Sequence, residues 1–219
     1  LIPVIAIDGP SASGKGTVAK AVAETLGWHY LDSGALYRLV ARQAIDSGVA
    51  WDDTQGLAEV AKGLDVQFEG EEIRLAGRRV TDEIRSEACS IGASRCAAIP
   101  AVRQALLDRQ RAFRAAPGLV AEGRDMGSVV FPDATLKVFL TASPEARAER
   151  RHKQLINKGI PANIQTLLRD LQERDARDAE RPVAPLRQLP DARLLDTTRM
   201  TVDEAVARVL GWYRERAES

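Results

Sequence analysis

Short apolar runs recur along this chain, and most are followed by a turn and then by a segment whose apolar positions return every three or four residues. Val4 to Ile7, Trp28 to Leu31, Leu119 to Glu122, Leu136 to Leu140 and Arg193 to Asp196 read as strands. Helices are predicted over Lys15 to Leu26, ended by Gly27, over Ala35 to Asp46, over Asp52 to Lys62, and over Ala101 to Ala115 behind Pro100. Thr81 or Asp82 opens a helical region from Glu83 to Ala97, interrupted at Gly92. Ser143-Pro144-Glu145 starts another helix with a cap and a first-turn proline, and Asn163 to Asp178 forms the next. Thr201 to Ala217 closes the chain, with Thr201 and Glu204 spaced as a capping box. Apolar strands joined by crossover helices predict an α/β fold around a five-stranded parallel sheet flanked by helices.

One stretch breaks that rhythm. Leu64 to Phe68, Glu72 to Leu75 and Arg79-Val80 alternate at strand period, punctuated by Glu69-Gly70-Glu71 and Ala76-Gly77-Arg78. Strands this short cannot usefully extend a parallel sheet, so they read as a small inserted antiparallel subdomain at about 60–82.

The chain has 219 residues, enough to bury a core without crosslinks, and 31 basic residues balance 31 acidic ones. Zero net charge removes the long-range attraction that non-specific nucleic-acid or membrane-surface binding needs, so neither partner is expected. Arg dominates the basic residues, and its planar fork suits bidentate capture of phosphate. Cys89 and Cys96 are the only cysteines, on roughly one face of one helical stretch, and His29 and His152 the only histidines. That set supports neither a zinc site nor a disulfide framework, so buried or half-buried thiols are expected. The opening residues lack a basic region and run into Asp8, as a first strand would and a signal peptide would not. No apolar run approaches membrane-spanning length, and a cytoplasmic protein is expected.

The chemistry concentrates between the first strand and the first helix, where Gly9-Pro10-Ser11-Ala12-Ser13-Gly14-Lys15-Gly16-Thr17 follows the G-x-x-x-x-G-K pattern. Glycines let such a loop curl around phosphate, the helix N-terminus adds positive dipole character, and Lys15 supplies a point charge. The hydroxyl that usually follows the lysine and holds Mg²⁺ is replaced by Gly16 and comes one position later, at Thr17. Either Thr17 takes that part or water and phosphate hold the ion. A dinucleotide fingerprint fits less well, because a third glycine is missing at the required offset.

Other polar clusters fall at predicted strand ends, where open α/β sheets bind ligands. Asp32-Ser33-Gly34 ends the second strand, and Asp32 or Ser33 can cap the helix that carries Tyr37 and Arg38. Arg103 stands at the start of a helix, where a nearby carboxylate or phosphate would offset the unfavourable dipole. Gly123-Arg124-Asp125-Met126-Gly127 ends the Leu119 strand. Arg147, Arg150 and Arg151 share one helical face, and Arg174, Asp178 and Arg181, four and three apart, would line another stripe. Two Arg-rich helices joined by a Lys-Gly turn suit a flap that closes over polyphosphate and excludes water.

Together, the glycine-lysine loop, Leu31-Asp32-Ser33-Gly34-Ala35-Leu36-Tyr37-Arg38, Glu122 to Asp133 and Glu173-Arg174-Asp175-Ala176-Arg177-Asp178 closely resemble the bacterial cytidylate kinase family, over essentially the whole chain. The resemblance implies the P-loop NTPase fold with a helical lid. It implies a core of residues 1–32, 98–149 and 169–219, a monophosphate-binding domain over 33–97 carrying the antiparallel insert, and a lid over 150–168. It implies ATP-dependent phosphorylation of CMP and dCMP by a monomer, with Mg²⁺ as cofactor and water-rich coordination normal where a glycine follows the lysine. Gly9, Pro10, Ser11, Ala12, Ser13, Gly14, Lys15, Gly16 and Thr17 match the ATP loop, and Arg150 and Arg151 the flap arginines brought toward ATP. Ser33, Arg103 and Asp125 match positions that read the cytosine edge, with Tyr37 near the ring. Arg38, Arg124 and Arg181 match those that hold the acceptor phosphate, and Arg174 and Asp178 those near the sugar. Lys15, Arg124, Arg150, Arg151 and Arg181 are then the catalytic set. A P-loop kinase acting on UMP or another small acceptor, or a regulatory NTPase switch, are the competing readings.

Overall fold

The computed structural model describes residues 1–69 and 72–217. Its elements run β1 (Val4–Asp8), α1 (Lys15–Leu26), β2 (His29–Asp32), α2 (Ser33–Ser47), α3 (Thr54–Lys62), then β3 (Val66–Glu69), β4 (Glu72–Leu75) and β5 (Arg78–Arg79). They continue with α4 (Glu87–Cys96), α5 (Pro100–Arg111), β6 (Leu119–Gly123), β7 (Leu136–Thr141), α6 (Pro144–Asn157), α7 (Ile164–Glu180), β8 (Arg193–Asp196) and α8 (Val202–Ala217). The chain forms two units: Leu1–Leu31 with Phe113–Ser219, and Asp32–Ala112.

The larger unit is built on the five-stranded sheet, in the order β2-β6-β1-β7-β8. β1 pairs in parallel with β6 and β7, and β7 with β8. The register sets Asp8 beside Gly123 and Phe139, and Thr141 beside Asp196, so the segments that follow β1, β6, β7 and β8 leave from one edge. That edge carries the glycine-lysine loop. Beneath it, Ile5, Ile7, Val120, Val138 and Leu140 of the sheet pack with Val18 and Val22 of α1 and Val209 and Leu210 of α8. Trp28 meets the edge of Tyr213 at 5.0 Å between centroids. β1 is buried at every position, which is why it reads as a continuous apolar run rather than an alternation. The capping box at α8 forms, with Thr201 N donating to Glu204 Oε2 and Glu204 N to Thr201 Oγ1.

In the smaller unit α2 packs on α4 and α3 on α5. β3, β4 and β5 form the expected antiparallel sheet, registering Val66 with Leu75 and Arg74 with Arg79. Ala76 and Gly77, both at positive φ (49° and 75°), make the tight turn between β4 and β5 that strand twist favours. Gly70 and Glu71, in the first predicted turn of the insert, lie outside the described residues.

The helical region from Glu83 differs from expectation. A single 3₁₀ turn (Glu83–Arg85) comes first, Ser86 then caps α4, and the helix continues unbroken through Gly92. Gly92 is needed for closeness rather than as a break. A Cβ there would lie 2.6 Å from the Trp51 ring and 2.8 Å from Ala41 Cβ, so only a bare backbone lets α4 approach α2 and Trp51. Cys89 and Cys96 are free and buried, as expected, and burial pushes the Cys96 thiol up to about 11. Among the described residues no helix is long and apolar enough to cross a membrane. Gly92→Ala is expected to cost about 1–3 kcal/mol through overpacking. The check is the urea midpoint followed by circular dichroism; an unchanged midpoint would mean that Trp51 moves aside freely.

Candidate active site

β1 delivers the chain into the loop, and Gly14, at φ 91°, turns it into α1. No side chain caps α1, and the amides of its first turn lack intrahelical acceptors, which is the arrangement an anion uses. The loop is held through its carbonyls. Lys15 Nζ donates to Pro10 O (3.3 Å), Arg147 Nη1 to Ser11 O (3.1 Å) and Arg150 Nη1 to Ser13 O (3.0 Å), where Thr197 Oγ1 also donates (3.2 Å). Ser13 Oγ is buried with no hydrogen-bond partner among the described residues, a polar atom that a phosphate oxygen would satisfy.

Arg124 leaves the end of β6 and is fixed at three points. Its Nη2 donates to Ser11 Oγ (2.8 Å), its Nη1 to Gly123 O (3.2 Å) and its Nε to Asp178 Oδ2 on α7 (2.8 Å). Burial alone would push the Asp178 carboxyl up, but Arg124, with Arg174 and Arg181 behind it, holds it below the usual carboxylate value. Burial likewise works against the Arg124 charge, and Asp178 outweighs it. Arg181 Nη2 lies 3.9 Å from Asp125 Oδ1, and its Nε donates to Ala184 O (2.6 Å). Arg174 and Asp178 are on α7 and Arg181 is its C-cap, where the N–H still makes the helical bond to Arg177 O (3.1 Å), so the four-and-three spacing carries through to it and both arginines act on Asp178. Arg150 also donates to the oxygens of Thr197, while Arg151 is half-buried on the same helix.

The smaller unit holds the remaining candidates. Asp32 caps α2, accepting from Ala35 N (2.9 Å), and also accepts from Arg38 Nη2 (2.7 Å). Arg38 Nε is buried without a hydrogen-bond partner among the described residues, leaving that guanidinium with donor capacity. Ser33 is the first residue of α2 rather than its cap, and its hydroxyl donates to Gln110 Oε1 (2.8 Å). Arg103 lies 5.9 Å over the Tyr37 ring and donates to Ala97 O (3.2 Å) at the end of α4, so a helix C-terminus supports the charge at this helix start.

The profile of the family described as Cytidylate kinase matches residues 5–215. A cytidylate kinase from Chromobacterium violaceum is 62% identical over 218 residues, covering 100% of this chain and 98% of that protein. One from Nitrosomonas eutropha is 58% identical over 214 residues, covering 98% and 96%. The chain belongs to the cytidylate kinase family. Among solved structures, a gluconokinase from Sinorhizobium meliloti shares 19% identity at a TM-score of 0.52, covering 99% of this chain and 94% of that one, a likeness of fold alone.

In this member of the cytidylate kinase family the Glu122 carboxylate lies beside the departure at Gly16. A Cβ at Gly16 would lie 3.1 Å from Glu122 Oε1 and 3.7 Å from the Tyr30 hydroxyl. Glu122 places its Oε2 3.6 Å from Lys15 Nζ, and its Oε1 accepts from Tyr30 (3.4 Å). Sequence reasoning missed Arg147, Thr197, Asp8 and Gln110. Arg147 is 3% exposed and also donates to both oxygens of Asp175 (3.1 and 2.5 Å); its only signal was the basic face it shares with Arg150 and Arg151.

Asp8 ends β1 and accepts from Met126 N (2.8 Å) and Gly127 N (2.9 Å). Burial, with the like charge of Asp125, raises its carboxyl to about 6, against the pull of those two amides and of Arg124. The folded state therefore keeps this proton to higher pH than the unfolded chain does. The stability tied to the neutral form is complete below 3.8 and is lost as pH rises through about 6, roughly 3 kcal/mol in all. A ¹³C titration of the Asp8 carboxyl is expected to show a midpoint near 6, and Asp8→Asn to flatten that part of the stability profile. A midpoint at 3.8 would show that the two amides fully compensate burial.

Proposed function

We propose that the chain transfers the γ-phosphoryl group of ATP to CMP and dCMP, yielding CDP or dCDP and ADP. The observation that carries this reading is Arg124, a half-buried guanidinium bonded at once to Ser11 of the phosphate loop and to Asp178. Phosphoryl transfer needs positioning and charge compensation more than a covalent catalyst. Residues Gly9 to Thr17 cradle the ATP phosphates, with Lys15 on the β and γ oxygens. Thr17, an exposed residue, would hold Mg²⁺ through its hydroxyl or through water, and the ion would offset phosphate charge.

Arg38, Arg124 and Arg181 hold the acceptor phosphate, so that one of its oxygens, already anionic, attacks in line without a general base. Ser33, Arg103 and Asp125 contact the base, Tyr37 lies near the ring, and Arg174 and Asp178 contact the sugar. Residues 150–168 act as a lid over ATP, residues 33–97 as the monophosphate-binding domain. Arg150 and Arg151 offset charge on the transferring group, an effect that grows as water leaves.

ADP release by the purified chain with Mg-ATP is expected to be strongly stimulated by CMP and dCMP, and little by UMP, AMP or no acceptor. Arg124→Ala is expected to lower kcat/KM for CMP by about a hundredfold or more. Equal ADP release with no acceptor present would favour an NTPase switch, and unchanged turnover and CMP KM in Arg124→Ala would remove Arg124 from the acceptor site.

A further inference from the structure

A serine hydroxyl can donate or accept, and which it does decides what a base edge meets there. In the smaller unit the Ser33 and Gln110 side chains are buried, at 3% and 2% exposure, with Ser33 Oγ 2.8 Å from Gln110 Oε1. The other end of that amide, Nε2, is 3.3 Å from the Leu106 carbonyl, one turn earlier on α5. A main-chain carbonyl can only accept, so the amide end facing Leu106 must be the donor. The end facing Ser33 is therefore the acceptor, and Ser33 supplies the proton. Polarity runs in one direction from Leu106 through Gln110 to Ser33.

We infer that Gln110 is a positioning residue for base specificity: by taking the Ser33 proton, it makes the Ser33 oxygen a fixed acceptor. Such an acceptor suits an amino group on pyrimidine C4 and opposes a carbonyl oxygen there. This inference rests on the reading of Ser33 as a base contact. A serine free to rotate would donate to a 4-oxo group as readily as it accepts from a 4-amino group, and would discriminate little. To serve UMP, Ser33 must abandon Gln110 and leave a buried amide oxygen unpaired, which costs about tenfold or more in kcat/KM. The helix that fixes this polarity also carries Arg103, two turns before Gln110 and on the same face, stacked over Tyr37.

The test compares kcat/KM for CMP, UMP and the ribonucleotide of 2-pyrimidinone, which has no C4 substituent, at saturating Mg-ATP. The proteins are the unmodified chain, Gln110→Leu and Gln110→Glu, each checked by thermal melting. The unmodified chain is expected to rank CMP above 2-pyrimidinone and 2-pyrimidinone above UMP. Gln110→Leu is expected to narrow the CMP-to-UMP ratio by about tenfold or more, with UMP rising past the unsubstituted analogue. Gln110→Glu, whose protonated carboxyl donates to Leu106 and accepts from Ser33, is expected to keep the ratio within about threefold.

An unchanged ratio in a folded Gln110→Leu, or an equal narrowing in Gln110→Glu, overturns the role of Gln110. If Gln110→Leu does not fold, the ranking in the unmodified chain decides, and UMP used better than the 2-pyrimidinone nucleotide overturns it. Indifference of the unmodified chain to the base is a separate result: it removes Ser33 from the base site, and the proposed CMP selectivity with it.

Discussion

Three carbonyls of the phosphate loop accept from cations: Pro10 from Lys15, Ser11 from Arg147 and Ser13 from Arg150. A short loop turning through a left-handed glycine cannot satisfy its own main chain, so its shape is imposed from elsewhere. Each cation is in turn anchored. Glu122 lies beside Lys15, Asp175 and Ala142 O fix Arg147, and Thr197 fixes Arg150. The curvature of the loop thus depends on the end of β6, on α6 and α7, and on the residue after β8. Changing the seat of α6 changes the loop itself.

That dependence explains what could be read before the fold was known. β1, β6, β7 and β8 agree with the strand runs to within a residue at each end; β1 and β6, buried at every position, leave a pattern that needs no knowledge of their neighbours. The capping box at Thr201 is equally local. The glycine-lysine loop was legible for the same reason: its chemistry is written in consecutive residues. Gly92 was misread because its role is set by Trp51, forty-one positions away, and glycine in a helical stretch looks like a break when that neighbour is unknown.

Arg147, Thr197 and Gln110 lay beyond reach on different grounds. Arg147 read as one of three arginines on a basic helical face, and only the fold shows that it is buried against Ser11 and Asp175. Thr197 has no signal in its own surroundings, since its bonds to Ser13 and Thr141 exist only through the register of β7 and β8. Gln110 needed two facts at once: that α5 passes Ser33, and that the amide is already committed to Leu106.

A shared logic runs through both units. Main-chain carbonyls cannot become donors, so the Gln110 amide bonded to Leu106 inherits a fixed direction, while Arg147 and Arg150 at the loop and Arg103 at Ala97 carry donors only. Carboxylates are different, because burial can return a proton to them. At Asp178 burial pushes toward protonation and the adjacent Arg124 wins, so the pair stays ionised. At Asp8 the partners are two amides and a more distant guanidinium; burial, helped by the like charge of Asp125, wins, and the carboxyl rises to about 6. A guanidinium in direct contact outweighs desolvation where dipoles do not, which is why the buried acid meant to hold an arginine in place must touch it.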